Sequence, residues 1–145
     1  MSKGNTFENE LLEHILNNAT IPLIGDANGL LASAADGNLY ISLHTSDPGE
    51  AGTQQTNEAT YTSYVRFAIA RTGALWTVTA NSASPASEIS FVQATGGSET
   101  ITHFGVGTAS SGAGKLLYFG TVTPNIVVSN GVTPKLTTAS TITED

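Results

Sequence analysis

Near the start of the chain, apolar residues are spaced as they are on one face of an α-helix. This apolar stripe consists of Phe7, Leu11, Leu12, Ile15 and Leu16. The stripe can pack against the chain's own sheet, or it can form an arm that binds a neighbouring subunit. Full burial of such a side chain stabilises the buried state by roughly 1.5–3 kcal/mol, before the entropy cost of ordering the side chain is subtracted. We therefore treat the stripe as a candidate partner interface and residues 1–20 as an N-terminal helical arm.

The polar residues around the stripe predict where this helix begins and ends. Asn5 can act as the N-cap, and Glu8 follows three residues later, as in a capping box. Asn17, Asn18 and then Pro22 predict the end of the helix.

After residue 38 the pattern changes to the alternation that is typical of β-strands. In the first strand, 39–44, Leu39, Ile41 and Leu43 are predicted to share one buried face. Further strands are predicted at 64–70, 76–80, 88–92, 100–107, 116–123, 126–129 and 132–138. Asn130-Gly131 predicts a hairpin between the last two. About eight short strands favour an antiparallel β-sandwich, and we predict a jelly roll formed by a single domain over residues 21–145.

Composition supports this fold class and narrows the possible partners. Charged residues make up 12% of the chain, hydrophobic residues 39%, and 15 residues are Gly. The net charge is −7, and the five Lys and Arg residues are scattered, which argues against binding to nucleic acid or to an anionic membrane. The absence of Cys removes disulfides and thiolate chemistry.

No segment of the sequence predicts secretion or a membrane span. Glu8, Glu10 and Glu13 interrupt the apolar start of the chain, so a signal peptide is not expected. A run of about 18 apolar residues, as a transmembrane helix requires, does not occur.

The sequence shows no catalytic signature, and we predict no catalytic, cofactor-binding or metal-binding residues. His14, His44 and His103 are far apart in the sequence, although His44 and His103 could meet in the fold. Asp47, Glu50 and Glu58 could bind a cation weakly across one loop, but a solvated acidic loop is the better interpretation. The predicted function is therefore not enzymatic.

Several segments resemble a family of small structural proteins of tailed phages. They are Asn-Thr-Phe-Glu at 5–8, LYISLHTSDPGEAG at 39–52, ITHFGVG at 101–107 and TPKL at 133–136. Members of this family are commonly labelled phage tail fibre proteins, and the similarity covers nearly the whole chain. In size and strand pattern the chain is also similar to the jelly-roll cement proteins of phage capsids.

The resemblance implies a virion component that is made in the host cytoplasm. Our main hypothesis is a capsid cement or decoration protein that forms an oligomer and binds the major capsid protein and copies of itself. A tail fibre, adaptor or other tail-attached component that binds tail proteins is the second hypothesis. A receptor- or glycan-binding module is the third.

Overall fold

A computed structural model describes residues 2–145, and in this range it contains one α-helix and nine β-strands. In chain order they are α1 Asn5–Asn17, β1 Asn38–His44, β2 Phe67–Ala70, β3 Trp76–Thr79, β4 Ser82–Pro85, β5 Ile89–Ser90, β6 Ser98–Gly107, β7 Leu116–Ser129, β8 Lys135–Leu136 and β9 Ile142–Thr143.

The strands form three antiparallel sheets, which confirms the prediction of a mainly β chain with one N-terminal helix. Their strand orders are β2-β1-β6-β7, β3-β4-β9 and β5-β8. Sheets of four, three and two strands do not show the predicted jelly roll. Local alternation specifies which segments are extended but not which of them pair, because pairing depends on contacts between residues far apart in sequence.

The chain divides into two compact units, which we describe separately. Unit 1 comprises the chain up to Asn38, Ala70–Glu88 and Thr137–Asp145. In unit 1, α1 packs on β3 and β4. Its buried apolar side chains are Leu12, Leu16, Ile21, Trp76, Ala83 and Ile142.

Unit 2 comprises Leu39–Ile69 and Ile89–Leu136. The predicted buried face of β1 is confirmed, because Leu39, Ile41 and Leu43 are all buried. Ser42 and His44 on the opposite face are also buried, so β1 has an apolar face and a polar face inside the same unit.

The predicted capping box is wrong, because the helix begins with Gly4 as its N-cap and makes no side-chain capping bond. The N–H of Glu8 donates to the carbonyl of Gly4, and Asn5 is already part of α1. The predicted end is confirmed: Asn18 is the C-cap in the left-handed conformation, with φ 55°, and its N–H donates to the carbonyl of Glu13.

The hairpin predicted at Asn130-Gly131 is also wrong. The chain does turn there, with Gly131 at φ 88° and the N–H of Val132 donating to the carbonyl of Ser129. However, β7 pairs with β6, whereas β8 pairs with β5. The segment 126–129, predicted as a separate strand, belongs to β7. β4 and β9 were not predicted, since their short polar sequences carry no clear alternation.

Candidate functional site

The structure distributes the five residues of the predicted partner interface between the core and the surface of unit 1. Leu12 and Leu16 are fully buried within the unit, whereas Leu11 and Ile15 are half-buried. Phe7 is 37% exposed. Packing against the chain's own sheet therefore explains why Leu12 and Leu16 are apolar. An interface role for Phe7, Leu11 and Ile15 stays a prediction.

A second apolar surface, which sequence patterns had not indicated, lies in the loop that follows the helix. We call residues 20–32 the apolar loop. Leu23 is 80% exposed and Leu31 67%, and Ile24 and Leu30 are exposed as well. The sequence signal for this surface is the two apolar pairs at 23–24 and 30–31.

Backbone hydrogen bonds give the apolar loop a defined shape. Ile21 and Leu30 pair through two bonds, of 3.0 Å from the Ile21 N–H and 2.8 Å from the Leu30 N–H. Inside this pair, Asp26 Oδ1 accepts the N–H groups of Asn28 and Gly29 at 2.8 and 3.1 Å. A Cβ at Gly29 would overlap the carbonyl of Ile21, so only glycine fits there.

Arg71 ties the end of the helix to the segment that follows the apolar loop. Its Nε and one Nη donate at 2.6 Å to the carbonyls of Ile15 and His14, which are among the last carbonyls of α1. The other Nη donates to the hydroxyl of Ser33 at 3.4 Å and the carbonyl of Asp36 at 3.5 Å. Arg71 therefore holds the C-terminal end of α1 next to residues 33–36, which follow the apolar loop.

Unit 2 contains an ion pair between Arg66 and Glu58. Arg66 Nε lies 2.6 Å from Glu58 Oε1, and Nη2 lies 2.8 Å from Oε2. Nη1 and Nη2 of Arg66 also donate to the carbonyls of Ala109 and Gly112, at 2.8 and 2.6 Å. The hydroxyl of Tyr64 donates to Glu58 Oε1 at 3.0 Å and accepts the N–H of Leu43.

Gln54 extends this network to the start of β1 and to the loop after β6. Its Nε2 donates to the carbonyl of Tyr40 at 3.0 Å, and its Oε1 accepts the N–H of Ala109 at 2.9 Å. Its side chain is fully buried. Two long loops, 45–60 and 108–115, are therefore fixed to the sheet by buried side chains whose hydrogen-bonding groups are paired.

Beside this network, Ser42 and His44 form a buried serine–histidine pair. His44 Nδ1 lies 2.8 Å from the carbonyl of Thr56, which can only accept, so Nδ1 carries the proton. In the neutral ring Nε2 then accepts from the Ser42 hydroxyl, 2.9 Å away. Both residues are 0% exposed, so no substrate reaches the hydroxyl, and the pair is structural.

Burial and neighbouring charges shift the pKa values of this network. Desolvation lowers the pKa of His44 from its ordinary value of 6.5, with the charges of Arg66 and His103 acting in the same direction. The bond to Thr56 and the charge of Glu58 oppose that shift. Burial raises the pKa of Tyr64. Outside this network, the hydroxyl of Tyr61 donates to the carbonyl of Val92, and burial and the charge of Glu99 raise its pKa to about 12.

The acidic and histidine residues that could have bound a metal have other neighbours. His44 and His103 face each other across the β1–β6 ladder, and His103 Nδ1 bonds the hydroxyl of Thr102. Glu58 belongs to the Arg66 pair, and Asp47 Oδ1 accepts the N–H of Gly49. Among residues 2–145, no group of three or more His, Asp or Glu side chains is arranged to hold a metal ion. Within the same range, no helix is long and apolar enough to cross a membrane.

These features define a class: a mainly β protein with a buried polar network and an apolar surface held in a fixed shape. The family described as Podophage GP4 fiber I protein gp80 matches residues 2–143. The chain belongs to this family and is a phage tail fibre protein, hence a virion component. No curated protein matched the chain.

The family match confirms the predicted resemblance and corrects the predicted place in the particle. It supports a tail fibre component rather than the capsid cement protein that was our main hypothesis. The cement hypothesis rested on size and a jelly-roll pattern, and neither distinguishes a head protein from a tail protein. The family is one of structural fibre proteins, which are typically not enzymes.

Proposed function

We propose that this fibre protein is an attachment or adaptor component that binds another tail protein through its apolar loop. The observation that supports this proposal is the exposure of Leu23, Ile24, Leu30 and Leu31 on a loop whose own hydrogen bonds fix its shape. Single exposed leucines are common on protein surfaces, but several on one short loop are typical of an interaction site.

The chemistry of the loop favours a protein partner with an apolar surface. Asp26 is the sole charged residue in the range 20–32, and its Oδ1 already accepts two backbone N–H groups. Little charge would therefore have to be desolvated when a partner covers the loop. Because the loop is already ordered, association would require little further loss of conformational entropy.

The predicted helical interface would contribute a second, smaller apolar contact. Phe7 is the most exposed member of the apolar stripe, and Leu11 and Ile15 are partly accessible. Leu12 and Leu16 are excluded from this role, because both belong to the core of unit 1. We therefore include Phe7, Leu11 and Ile15 in the proposed surface and assign the main contact to the apolar loop.

The proposal is tested by assembling virions with the double variant Leu23→Asp and Leu31→Asp. The variant should fold normally, because both side chains are exposed, yet it should be depleted from purified tails, as measured by quantitative mass spectrometry. The matched control, Ala35→Asp with Ala139→Asp, adds the same charge at exposed positions of unit 1 outside the loop and should be incorporated normally.

Two results would contradict the proposal. Normal incorporation of the Leu23 and Leu31 variant would show that the apolar loop is not the attachment surface. Recovery of the wild-type protein with heads rather than tails after the virions are separated would contradict an attachment role in the tail altogether.

A further inference from the structure

An Asn residue is followed directly by Gly at two places in the chain, 28–29 and 130–131. Asn is chemically labile, and Gly makes it more so, because the backbone nitrogen of Gly can approach the Asn side chain without hindrance from a Cβ. That nitrogen loses its proton to solvent and forms a bond to Cγ of Asn, while the side-chain nitrogen takes up a proton and leaves as ammonia. Water then opens the five-membered imide at either carbonyl carbon, which gives Asp or isoaspartate.

At 130–131, hydrogen bonds to a distant segment of unit 2 hold the reacting nitrogen. The Gly131 N–H donates to the carbonyl of Ala94 at 2.8 Å, and the Gly131 carbonyl accepts Nε2 of Gln93, also at 2.8 Å. The N–H of Ala94 donates to the carbonyl of Val132 at 2.9 Å. Attack by the Gly131 nitrogen would break contacts between segments far apart in the sequence, so the fold opposes the reaction at Asn130.

At 28–29, the bonds of the reacting nitrogen are longer and local. The Gly29 N–H is shared between the carbonyl and Oδ1 of Asp26, at 3.2 and 3.1 Å. Both acceptors belong to a residue of the same turn of the apolar loop. Asn28 and Asn130 are both exposed, so solvent access does not distinguish them. Local opening of one turn is enough to free the Gly29 nitrogen, whereas tertiary bonds must break to free that of Gly131.

We propose that Asn28 is a deamidation site of the folded protein and that it reacts faster than Asn130. Either product adds a carboxylate to a loop in which Asp26 is the sole charged residue. The isoaspartate product also lengthens the main chain by one carbon before Gly29. Gly29 lies so close to Ile21 that a Cβ built on it would overlap the Ile21 carbonyl. A shift of Gly29 would therefore disturb the adjacent pairing of Ile21 with Leu30.

The consequence for attachment rests on the proposed function, whereas the reaction at Asn28 does not. A carboxylate in the apolar loop would have to be desolvated when a partner covers it. Deamidation of Asn28 would therefore weaken attachment through the loop, and it would do so progressively with the age of the protein.

The reaction is tested by incubating the purified full chain in mildly alkaline buffer and mapping its peptides by mass spectrometry over time. In the folded chain, Asn28 should deamidate about tenfold faster than Asn130, because its turn opens more readily. In a parallel incubation in denaturant the two residues should react at similar rates. Equal rates in the folded chain, or a difference that persists in denaturant, would overturn the inference.

The consequence is tested in virions that carry Asn28→Asp, with Asn28→Gln as the uncharged control. Asn28→Asp should be depleted from purified tails and Asn28→Gln should be incorporated normally. Equal incorporation of the two variants would contradict the effect on attachment and leave the reaction at Asn28 standing. The Leu23 and Leu31 variant decides the proposed function separately, since it does not depend on deamidation.

Discussion

Gly105 on β6 provides the space that the imidazole of His44 on β1 occupies. A Cβ placed on Gly105 would lie 2.9 Å from His44 Nε2, 2.9 Å from Ser42 Oγ and 2.6 Å from a methyl carbon of Leu116. Gly105 is the register partner of Ser42, and His44 is two residues further along the same face. The missing side chain on one strand therefore permits the serine–histidine pair on its neighbour.

We predict that Gly105→Ala lowers the free energy of unfolding by about 1–3 kcal/mol, as overpacking of a filled interior does. Chemical denaturation followed by tryptophan fluorescence and circular dichroism measures this change. Gly120→Ala on β7 is the matched control, because its Cβ would meet only Phe104, at an ordinary contact distance of 3.7 Å. Equal stability of the two variants would contradict this account of Gly105.

We predict that Glu58→Ala destabilises the protein by about 3–5 kcal/mol, since it leaves the guanidinium of Arg66 buried without its counter-ion. The Arg66 side chain is 2% exposed and that of Glu58 is 14% exposed, so solvent cannot replace the lost carboxylate. The double variant Glu58→Leu with Arg66→Met should lose less stability than either of its single variants, Glu58→Leu or Arg66→Met. A double-mutant cycle from denaturation curves tests this prediction, and purely additive losses would show that the pair is not coupled.

The stability of the protein should decrease in acid partly through His44. Its pKa in the folded state is lowered by burial, so below pH 6.5 the unfolded chain binds a proton that the folded chain does not. The contribution to stability is fully present above pH 6.5 and is lost as the pH falls, by at most about 1.4 kcal/mol per pH unit. His44→Gln should flatten the curve between pH 6.5 and 5, measured as the free energy of unfolding relative to the wild type at each pH. Parallel wild-type and variant curves would exclude His44 as the titrating group.

Leu23 should be less favourable for folding than Asn at the same position. Its φ is 64°, in the left-handed region that bulky residues rarely adopt, and its side chain is 80% exposed. We predict that Leu23→Asn raises the free energy of unfolding by about 1 kcal/mol, because Asn adopts this conformation more readily. If the apolar loop binds a tail protein, the same variant should be incorporated less well into tails. A variant that is both less stable and normally incorporated would contradict both expectations.

The strands that were predicted well are those whose side chains alternate strongly. Leu39, Ile41 and Leu43 predicted β1 correctly, and the apolar stripe at Phe7 to Leu16 predicted the helix. β4 and β9 were missed because their side chains are small or polar and their conformation is set by pairing with each other and with β3. The same limit explains the hairpin error at Asn130-Gly131, where the turn residues were recognised correctly but the partners of the flanking strands were not.

The residues of the candidate site also divide into those that the sequence indicated and those that it did not. The sequence indicated that His44 and His103 could meet, and they face each other in the ladder. It did not indicate that Glu58 would pair with Arg66, because the alternation of 64–70 gave no reason to place a guanidinium inside. Val65 is exposed, whereas Arg66 beside it is buried.

By itself, the sequence determined that this protein is mainly β, begins with an amphipathic helix, and belongs among the structural proteins of phages. Periodicity, turn residues and composition are local properties, and they are sufficient for the first two conclusions. The third rests on the resemblance of segments such as 39–52 to a family of phage proteins. The tertiary structure alone decided which strands pair and that Arg66 and Glu58 form an ion pair inside unit 2. These depend on contacts between residues far apart in the chain, whose energies are realised only when the backbone brings them together.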